Sequence, residues 1–319
     1  NEAKLAQETA SYLQYDGNPS ESDIERALSN ADVWLGRLKP TVGVETDADN
    51  LHYVFSRIKI FGENYQLSGI AGFGEVYKKL LKGFADFVNR YPDEARAQLN
   101  NGRNMWTDGE EVIQNWTVLE ASPIFTDPER AQIVSALYGT YAANALDNYL
   151  KVARDSAPRW NHEIFPALSI VAGGDYFLRY YGLAEAASWK HLGERIFTGN
   201  TSTISLDEGS DYLMHVPMVN IDYAMATGQL EFMTRSLRPS ADLNVLMIDN
   251  LGTMAGGGDT YPFGYSGPYS WGHSQVMYAA SWLYRDPVYR VLLERAKNGP
   301  FPDQRMTDLD YPIHRYIVE

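Results

Sequence analysis

The sequence predicts a mainly α-helical protein. Apolar residues recur every three or four positions in many segments, and helix start and stop signals punctuate the chain from one end to the other. Convincing strand patterns are few. Consecutive helices of moderate length joined by short loops can form a superhelical bundle, a solenoid or an α/α toroid. The sequence shows no strict internal repeat that would support the solenoid.

Two helices are predicted in the first hundred residues. Ser22 and Glu25 form a capping-box pattern ahead of apolar residues at helical spacing, and Pro40 stops that run. A longer helix is predicted over residues 68–91, where Pro92 follows a strongly periodic apolar stretch. Both patterns are amphipathic, so each helix is expected to bury one face.

Aspartate followed by proline predicts two further helix starts, at Asp127-Pro128 and Asp286-Pro287. The acid is expected to be the N-cap, and proline suits the first helical position. Other helical patterns lie near residues 109–121, 163–182, 184–197, 218–234, 240–250 and 271–284, which gives roughly ten helices in all.

Two segments favour other structure. Residues 252–270 hold six glycines and two prolines, which predicts a long loop of the kind that often carries function. The end of the chain, Tyr311 to Glu319, is expected to be extended.

The amino-acid composition argues against several classes of function. The net charge of −14 argues against nucleic-acid binding, which needs a basic surface, and no apolar run approaches the roughly 20 residues of a membrane span. The absence of cysteine excludes disulfides, thiolate metal sites and a cysteine nucleophile. The first residue is Asn1 rather than methionine, which leads us to expect a mature secreted, periplasmic or cell-surface chain.

The sequence contains no recognisable metal-binding or cofactor-binding motif. The six histidines show no compact ligand spacing, and there is no Gly-x-Ser-x-Gly elbow. We therefore expect no metal and no cofactor.

Three polar segments are candidates for chemistry. The first is residues 159–163, where Asn161 can cap a helix and His162 lies in its first turn. The second is residues 207–215, an acidic turn with a phenol and an imidazole, and the third is the glycine-rich loop followed by His273. Each also has a plain structural interpretation: a capping asparagine, an acidic first turn that suits the helix dipole, and a surface loop.

Together these segments resemble the heparinase II/III-like and alginate-lyase superfamily of polysaccharide lyases. Residues 115–120 (Asn-Trp-Thr-Val-Leu-Glu) look like the family's Asn-Trp…Glu helix, residues 161–165 (Asn-His-Glu-Ile-Phe) like its Asn-His helix start, and residues 207–215 like the segment before its catalytic tyrosine. The resemblance implies an incomplete α/α toroid or barrel over residues 1–300. Residues 301–319 would then be an extended tail, the start of a β-sandwich domain that is missing or trimmed.

The resemblance also implies a reaction and its residues. The reaction is β-elimination, in which a base removes the C5 proton of a uronate and the 4-linked oxygen leaves. Asn161 and His162 would neutralise the substrate carboxylate through directed hydrogen bonds, and Tyr212 or His215 would serve as base and acid. The expected partner is an anionic polysaccharide. Substrate binding is assigned to residues on several segments: Glu120, Arg159, Tyr261, Tyr265 and His273.

Two other functions compete with the lyase. An α/α-barrel glycoside hydrolase would need two carboxylates beside the cleaved bond, drawn from Asp175, Asp207, Glu208, Asp222 and Asp259. A non-enzymatic glycan-binding helical protein would show the same aromatic-rich composition without needing the Asn-His pair. An anionic substrate on an acidic chain requires local cations, for which the candidates are Arg154, Arg159, Lys190 and Arg195.

Overall fold

The computed structural model describes residues 19–40, 45–101, 108–146, 150, 161–199, 215–247 and 271–297. Within these ranges all regular structure is α-helical and no strand occurs, which confirms the mainly α prediction there. The closed order of a toroid stays a prediction. The helices are α1 Glu21–Leu35, α2 Glu45–Ser68, α3 Ala71–Arg90, α4 Pro92–Asn101, α5 Gly109–Leu119, α6 Asp127–Ala145, α7 Asn161–Tyr181, α8 Ala184–Gly199, α9 His215–Thr227, α10 Glu231–Met247, α11 Trp271–Tyr284 and α12 Pro287–Lys297.

Capping residues set the start of α1 and α6, and both lie slightly upstream of the prediction. Ser20 caps α1 in a reciprocal box with Asp23, two residues before the predicted Ser22 and Glu25. Thr126 caps α6, because its extended backbone lets its hydroxyl accept from the N–H of Glu129 while that carboxylate accepts from the N–H of Thr126. Asp127 is therefore the first helical residue, and its prediction as the N-cap was wrong.

The start of α12 is as predicted. The side chain of Asp286 accepts a hydrogen bond from the N–H of Val288 over 3.1 Å, and Pro287 is the first helical residue.

The segment 215–247 divides at a different point from the prediction. Helix α9 ends at Thr227 because Gly228 adopts the left-handed backbone conformation, with φ of 73°. Helix α10 then continues through Pro239, which is exposed on its surface. The structure therefore has helices over residues 215–227 and 231–247 instead of the predicted 218–234 and 240–250. The break between them lies at Gly228 and not near Pro239.

Helices α2 and α4 were not among the predicted elements. The pattern of α2 is nonetheless clear, because Leu51, Val54, Phe55 and Ile58 follow helical spacing and are fully buried. Pro92 ends α3 and also opens α4, where a proline lacks only an N–H that would be unpaired in any case.

The described chain falls into two compact units. The first unit comprises residues 17–157 and 165–199, and it holds α1 to α6, α8 and most of α7. Within it α2 and α3 pack together, α3 contacts α1 and α6, and α2 contacts α5. Its core is rich in aromatic residues, and the rings of Phe55 and Phe84 lie 5.5 Å apart at its centre. The largest fully buried side chains of this unit include Tyr77, Trp116, Tyr141 and Phe177.

Helices α7 and α8 form a close hairpin inside the first unit. Gly182 makes the turn with φ of 64°. A Cβ atom on Gly174 would lie 2.8 Å from the carbonyl oxygen of Ala186, and one on Gly193 would lie 2.6 Å from that of Ala167. The two backbones approach this closely only because both positions lack a side chain.

The second unit comprises residues 1–16, 158–164 and 200–319, and its described helices are α9 to α12 with the first residues of α7. Helices α9, α10 and α11 contact one another, and α12 packs on α10 and α11. Tyr289 is fully buried and its phenol donates to the carboxylate of Asp242 over 2.5 Å. The guanidinium of Arg238 lies over the ring of Tyr284 at 5.2 Å.

Candidate functional site

The Asn161-His162 pair lies at the very start of α7. Asn161 is the first helical residue and His162 the second, so the helix begins one residue earlier than a capping Asn161 would imply. The side chains of this pair lie outside the described residues, as do Arg159, Tyr212, Tyr261 and Tyr265, so the roles predicted for them stay predictions.

Two further predicted residues also open helices. His215 is the first residue of α9 and is partly exposed, and His273 is the third residue of α11. The first residues of α7 belong to the same compact unit as α9 and α11. The second unit thus contains three first turns that include a histidine, those of α7, α9 and α11, and in a first turn the backbone N–H groups lack helical partners and the helix dipole is positive.

Glu120 belongs to the first unit, where it joins α5 to the end of α7. One of its carboxylate oxygens accepts from the phenol of Tyr176 over 2.8 Å, and the other accepts from the phenol of Tyr181 over 2.6 Å. The indole N–H of Trp116 donates to the oxygen of Tyr176 over 2.9 Å. We call these four residues, Trp116, Glu120, Tyr176 and Tyr181, the Glu120 cluster.

The Glu120 cluster is graded from buried to exposed. Trp116 is fully buried and Tyr176 is 3% exposed, whereas Tyr181 is 43% exposed and the neighbouring Tyr180 is 55% exposed. Burial, and then the Glu120 carboxylate, raise the pKa of both Tyr176 and Tyr181. Both phenols thus remain protonated donors, and the exposed ring of Tyr181 lies beside the carboxylate.

A second carboxylate group lies at the start of α5. The ammonium of Lys59 is 3.0 Å from an oxygen of Asp108 and 3.0 Å from an oxygen of Glu111. All three side chains are largely buried, so the ion pairs are shielded from water. The amide of Asn115 donates to the backbone carbonyl of Lys59 over 3.0 Å, which fixes α5 on α2. The ion pairs of Lys59 and the hydrogen bond of Asn115 therefore hold α5 against α2, which is a structural role.

One carboxylate proposed for the hydrolase is held in ion pairs. Asp175 contacts Lys190 and Arg179, each over 2.8 Å. Lys190 is therefore paired rather than a free cation for an anionic substrate, while Arg195 is exposed on α8. Asp222 is partly buried on α9, and the remaining candidates of that set, Asp207, Glu208 and Asp259, lie outside the described residues.

Comparison with known proteins gives no relative. No protein-family model matches the chain, and no curated protein or solved structure matches it.

Neither a metal cluster nor a membrane span is found in the part of the chain that the structure describes. Its histidine, aspartate and glutamate side chains form no group of three that could hold an ion. None of its helices has both the length and the apolar character needed to cross a bilayer.

Sequence reasoning identified Glu120 but missed the residues that surround it. Tyr176 and Tyr181 lie some 60 positions further along the chain, with sequence separations of 56 and 61 from Glu120. The run Arg179-Tyr180-Tyr181-Gly182 was a usable signal, because two tyrosines before a helix-ending glycine leave aromatic rings at a helix terminus.

Proposed function

We propose that the chain is a polysaccharide lyase that cleaves a uronate-containing polymer by β-elimination. The observation that carries the proposal is that three histidines, His162, His215 and His273, stand in the first turns of three helices, at chain positions that belong to one compact unit. Asn161 directly precedes the first of them. These residue types are the ones that the sequence resemblance assigns to the reaction.

The chemistry explains why first-turn positions suit this task. The C5 proton of a uronate becomes acidic enough to remove only when the negative charge on its carboxylate is offset as the enolate forms. Unpaired N–H groups and the positive end of a helix dipole attract an anion. The same dipole favours the neutral form of an imidazole, which can accept a proton or donate a directed hydrogen bond.

In this proposal the residues have separate roles. Asn161 and His162 hold the carboxylate and stabilise the enolate-like charge, while His215 or Tyr212 removes the C5 proton and returns a proton to the leaving oxygen. Arg159, Tyr261, Tyr265 and His273 bind the substrate around them. The Glu120 cluster, with its exposed Tyr181 ring, supplies aromatic surface for a sugar chain in the first unit, and the adjacent Tyr180 is exposed as well.

The test is a screen of uronate polysaccharides against the full chain: alginate, glucuronan, ulvan and glycosaminoglycans. A lyase generates a product with new near-ultraviolet absorbance, and the proposal expects this from at least one polymer. New reducing ends without absorbance would indicate the glycoside hydrolase instead. Retention on a polysaccharide column with neither signal would indicate a glycan-binding protein.

Variants connect the activity to the residues. Asn161→Ala and His162→Gln are each expected to lower turnover by about 100-fold or more, in line with the loss of an oxyanion donor or a general base. His191→Gln is the matched control, because His191 is an exposed histidine on α8 of the first unit. Full activity in the Asn161 and His162 variants would refute the assignment.

A further inference from the structure

Three hydrogen-bond donors lie together between helices α1 and α2 of the first unit. The guanidinium of Arg57 is stacked against two rings, 4.4 Å from the centroid of Tyr53 and 5.5 Å from that of Trp34. One of its terminal nitrogens donates to the phenol oxygen of Tyr53 over 2.7 Å. The rings of Trp34 and Tyr53 meet edge to face at 6.2 Å. We call these three residues the Arg57 cluster.

Two donors of the Arg57 cluster, the Nε–H of Arg57 and the indole N–H of Trp34, are buried without an acceptor. Arg57 is only 7% exposed, yet it makes no ion pair with any carboxylate of the described residues. Its Nε–H finds no hydrogen-bond partner there, and neither does the indole N–H of Trp34, which is 2% exposed. Tyr53 accepts from Arg57, so its own phenol proton is available to donate.

A buried guanidinium without a counter-charge is an unfavourable arrangement. Removing a charged guanidinium from water is costly unless an anion compensates. The faces of the Tyr53 and Trp34 rings offset part of that cost through cation–π attraction. They cannot accept the in-plane N–H groups, so the buried Nε–H of Arg57 is left without an acceptor.

We propose that the Arg57 cluster is a binding site for an oxyanion, the carboxylate or sulfate group of a ligand. The fork of a guanidinium matches two oxygens of such a group, and the Tyr53 phenol and Trp34 indole supply further donors to the same anion. Tyr53 is partly exposed, whereas Arg57 and Trp34 are buried. This proposal does not rest on the lyase function, because the cluster shares no residue with the proposed catalytic set.

The first experiment measures binding to the wild-type chain. Thermal unfolding and calorimetric titration use sodium sulfate and sodium glucuronate as probes, with sodium chloride at matched ionic strength and glucose as controls. Because sulfate also stabilises folded proteins by exclusion from their surface, binding is scored as a saturable heat in the titration together with a rise in unfolding temperature, and the controls give no such heat. A response to sulfate alone identifies a sulfate site, and one to glucuronate alone a carboxylate site. No response to either probe overturns the proposal.

The second experiment assigns the response to the cluster. Arg57→Met is expected to abolish it and, without an oxyanion, to unfold at the same or a higher temperature than wild type, because an unpaired buried charge has been removed. If Arg57 instead serves only to pack against the rings, the wild type shows no response to oxyanions and Arg57→Met is less stable than the wild type. Arg290→Gln, which removes an exposed arginine of α12, is the control and should keep the full response.

Two milder variants keep the test decisive if Arg57→Met does not fold. Tyr53→Phe and Trp34→Phe retain aromatic rings beside Arg57 but remove the phenol and indole donors. Each is expected to weaken the affinity for the oxyanion by about tenfold, the effect of losing one hydrogen bond to a charged group. Unchanged affinity in both variants, or a response that survives Arg57→Met, would refute the site.

Discussion

The indole N–H of Trp116 donates to the phenol oxygen of Tyr176, and that phenol in turn donates to Glu120, so a buried tryptophan is connected through one hydroxyl to a carboxylate. This chain ties α5 to α7 inside the first unit. It also fixes Glu120, whose other carboxylate oxygen accepts from the phenol of the exposed Tyr181. The position of one surface tyrosine is thus linked to a hydrogen bond made in the core.

The two phenols bound to Glu120 should differ in their contribution to stability. Tyr176→Phe removes one hydrogen bond and leaves the buried Trp116 N–H without an acceptor, which is expected to cost about 1–3 kcal/mol. Tyr181→Phe removes a bond at an exposed phenol and is expected to cost less than about 1 kcal/mol. Urea denaturation of both variants measures the difference. Equal losses would show that Trp116 does not need the Tyr176 oxygen.

The α7–α8 hairpin should not tolerate a side chain at Gly174. Alanine there would place its Cβ 2.8 Å from backbone atoms of Ala186 and Lys190, which cannot move without separating the helices. We expect Gly174→Ala to destabilise the chain by about 1–3 kcal/mol. Gly139→Ala is the control, because its Cβ would meet only Val88 at 4.0 Å, and alanine favours the helix by up to about 1 kcal/mol. Thermal unfolding should move in opposite directions for the two variants.

Glu129 should contribute stability that depends on pH. Hydrogen bonds from Lys82, the backbone of Thr126 and Lys78 hold the pKa of this carboxyl far below its usual range. Since the pKa is lower in the folded than in the unfolded state, the contribution is complete above the unfolded value of about 4.3 and is lost as pH falls below it.

The variant Glu129→Gln measures that contribution. Glutamine retains the capping contact to Thr126 but loses the attraction to both lysines, so a cost of roughly 1 kcal/mol is expected at neutral pH. The gap between variant and wild type should narrow when urea denaturation is repeated below about pH 4. A gap that stays constant with pH would show that the lysine pairs contribute nothing.

His215 should affect turnover without affecting the fold. As the first residue of α9 it is partly exposed, so His215→Gln is expected to leave the unfolding temperature within about 2 °C of wild type. On a polymer that the wild type cleaves, the variant should lose about 100-fold or more in kcat and change the pH profile of the reaction. Wild-type kcat with an unchanged profile would remove His215 from the proposed chemistry.

The helices could be predicted where local signals are strong. The α3 pattern and the Asp286 cap follow from residues that are adjacent in sequence, and both are found. The break at Gly228 was missed because proline and glycine compete as helix breakers, and only the backbone shows which one ends a helix.

The candidate sites could be predicted only in part. Glu120 could be selected from a local motif, but its bonds to Tyr176 and Tyr181 join residues far apart in the chain. The Arg57 cluster could not be predicted either, because it joins residues of two different helices. An arginine on α2 becomes unusual only when the packing of Trp34 from α1 shows that it is buried without an anion.

We propose that the chain breaks a glycosidic linkage by elimination at Asn161 and His162. The most direct test is to measure whether oxygen from water is incorporated into the products. A polymer that the chain cleaves is degraded in oxygen-18-labelled water, and the masses of the products are determined by mass spectrometry. Elimination adds no water, so the account predicts unsaturated products without the label at the new reducing end, and their loss in the Asn161→Ala variant. Labelled, saturated products, or unsaturated products that persist in that variant, would contradict it.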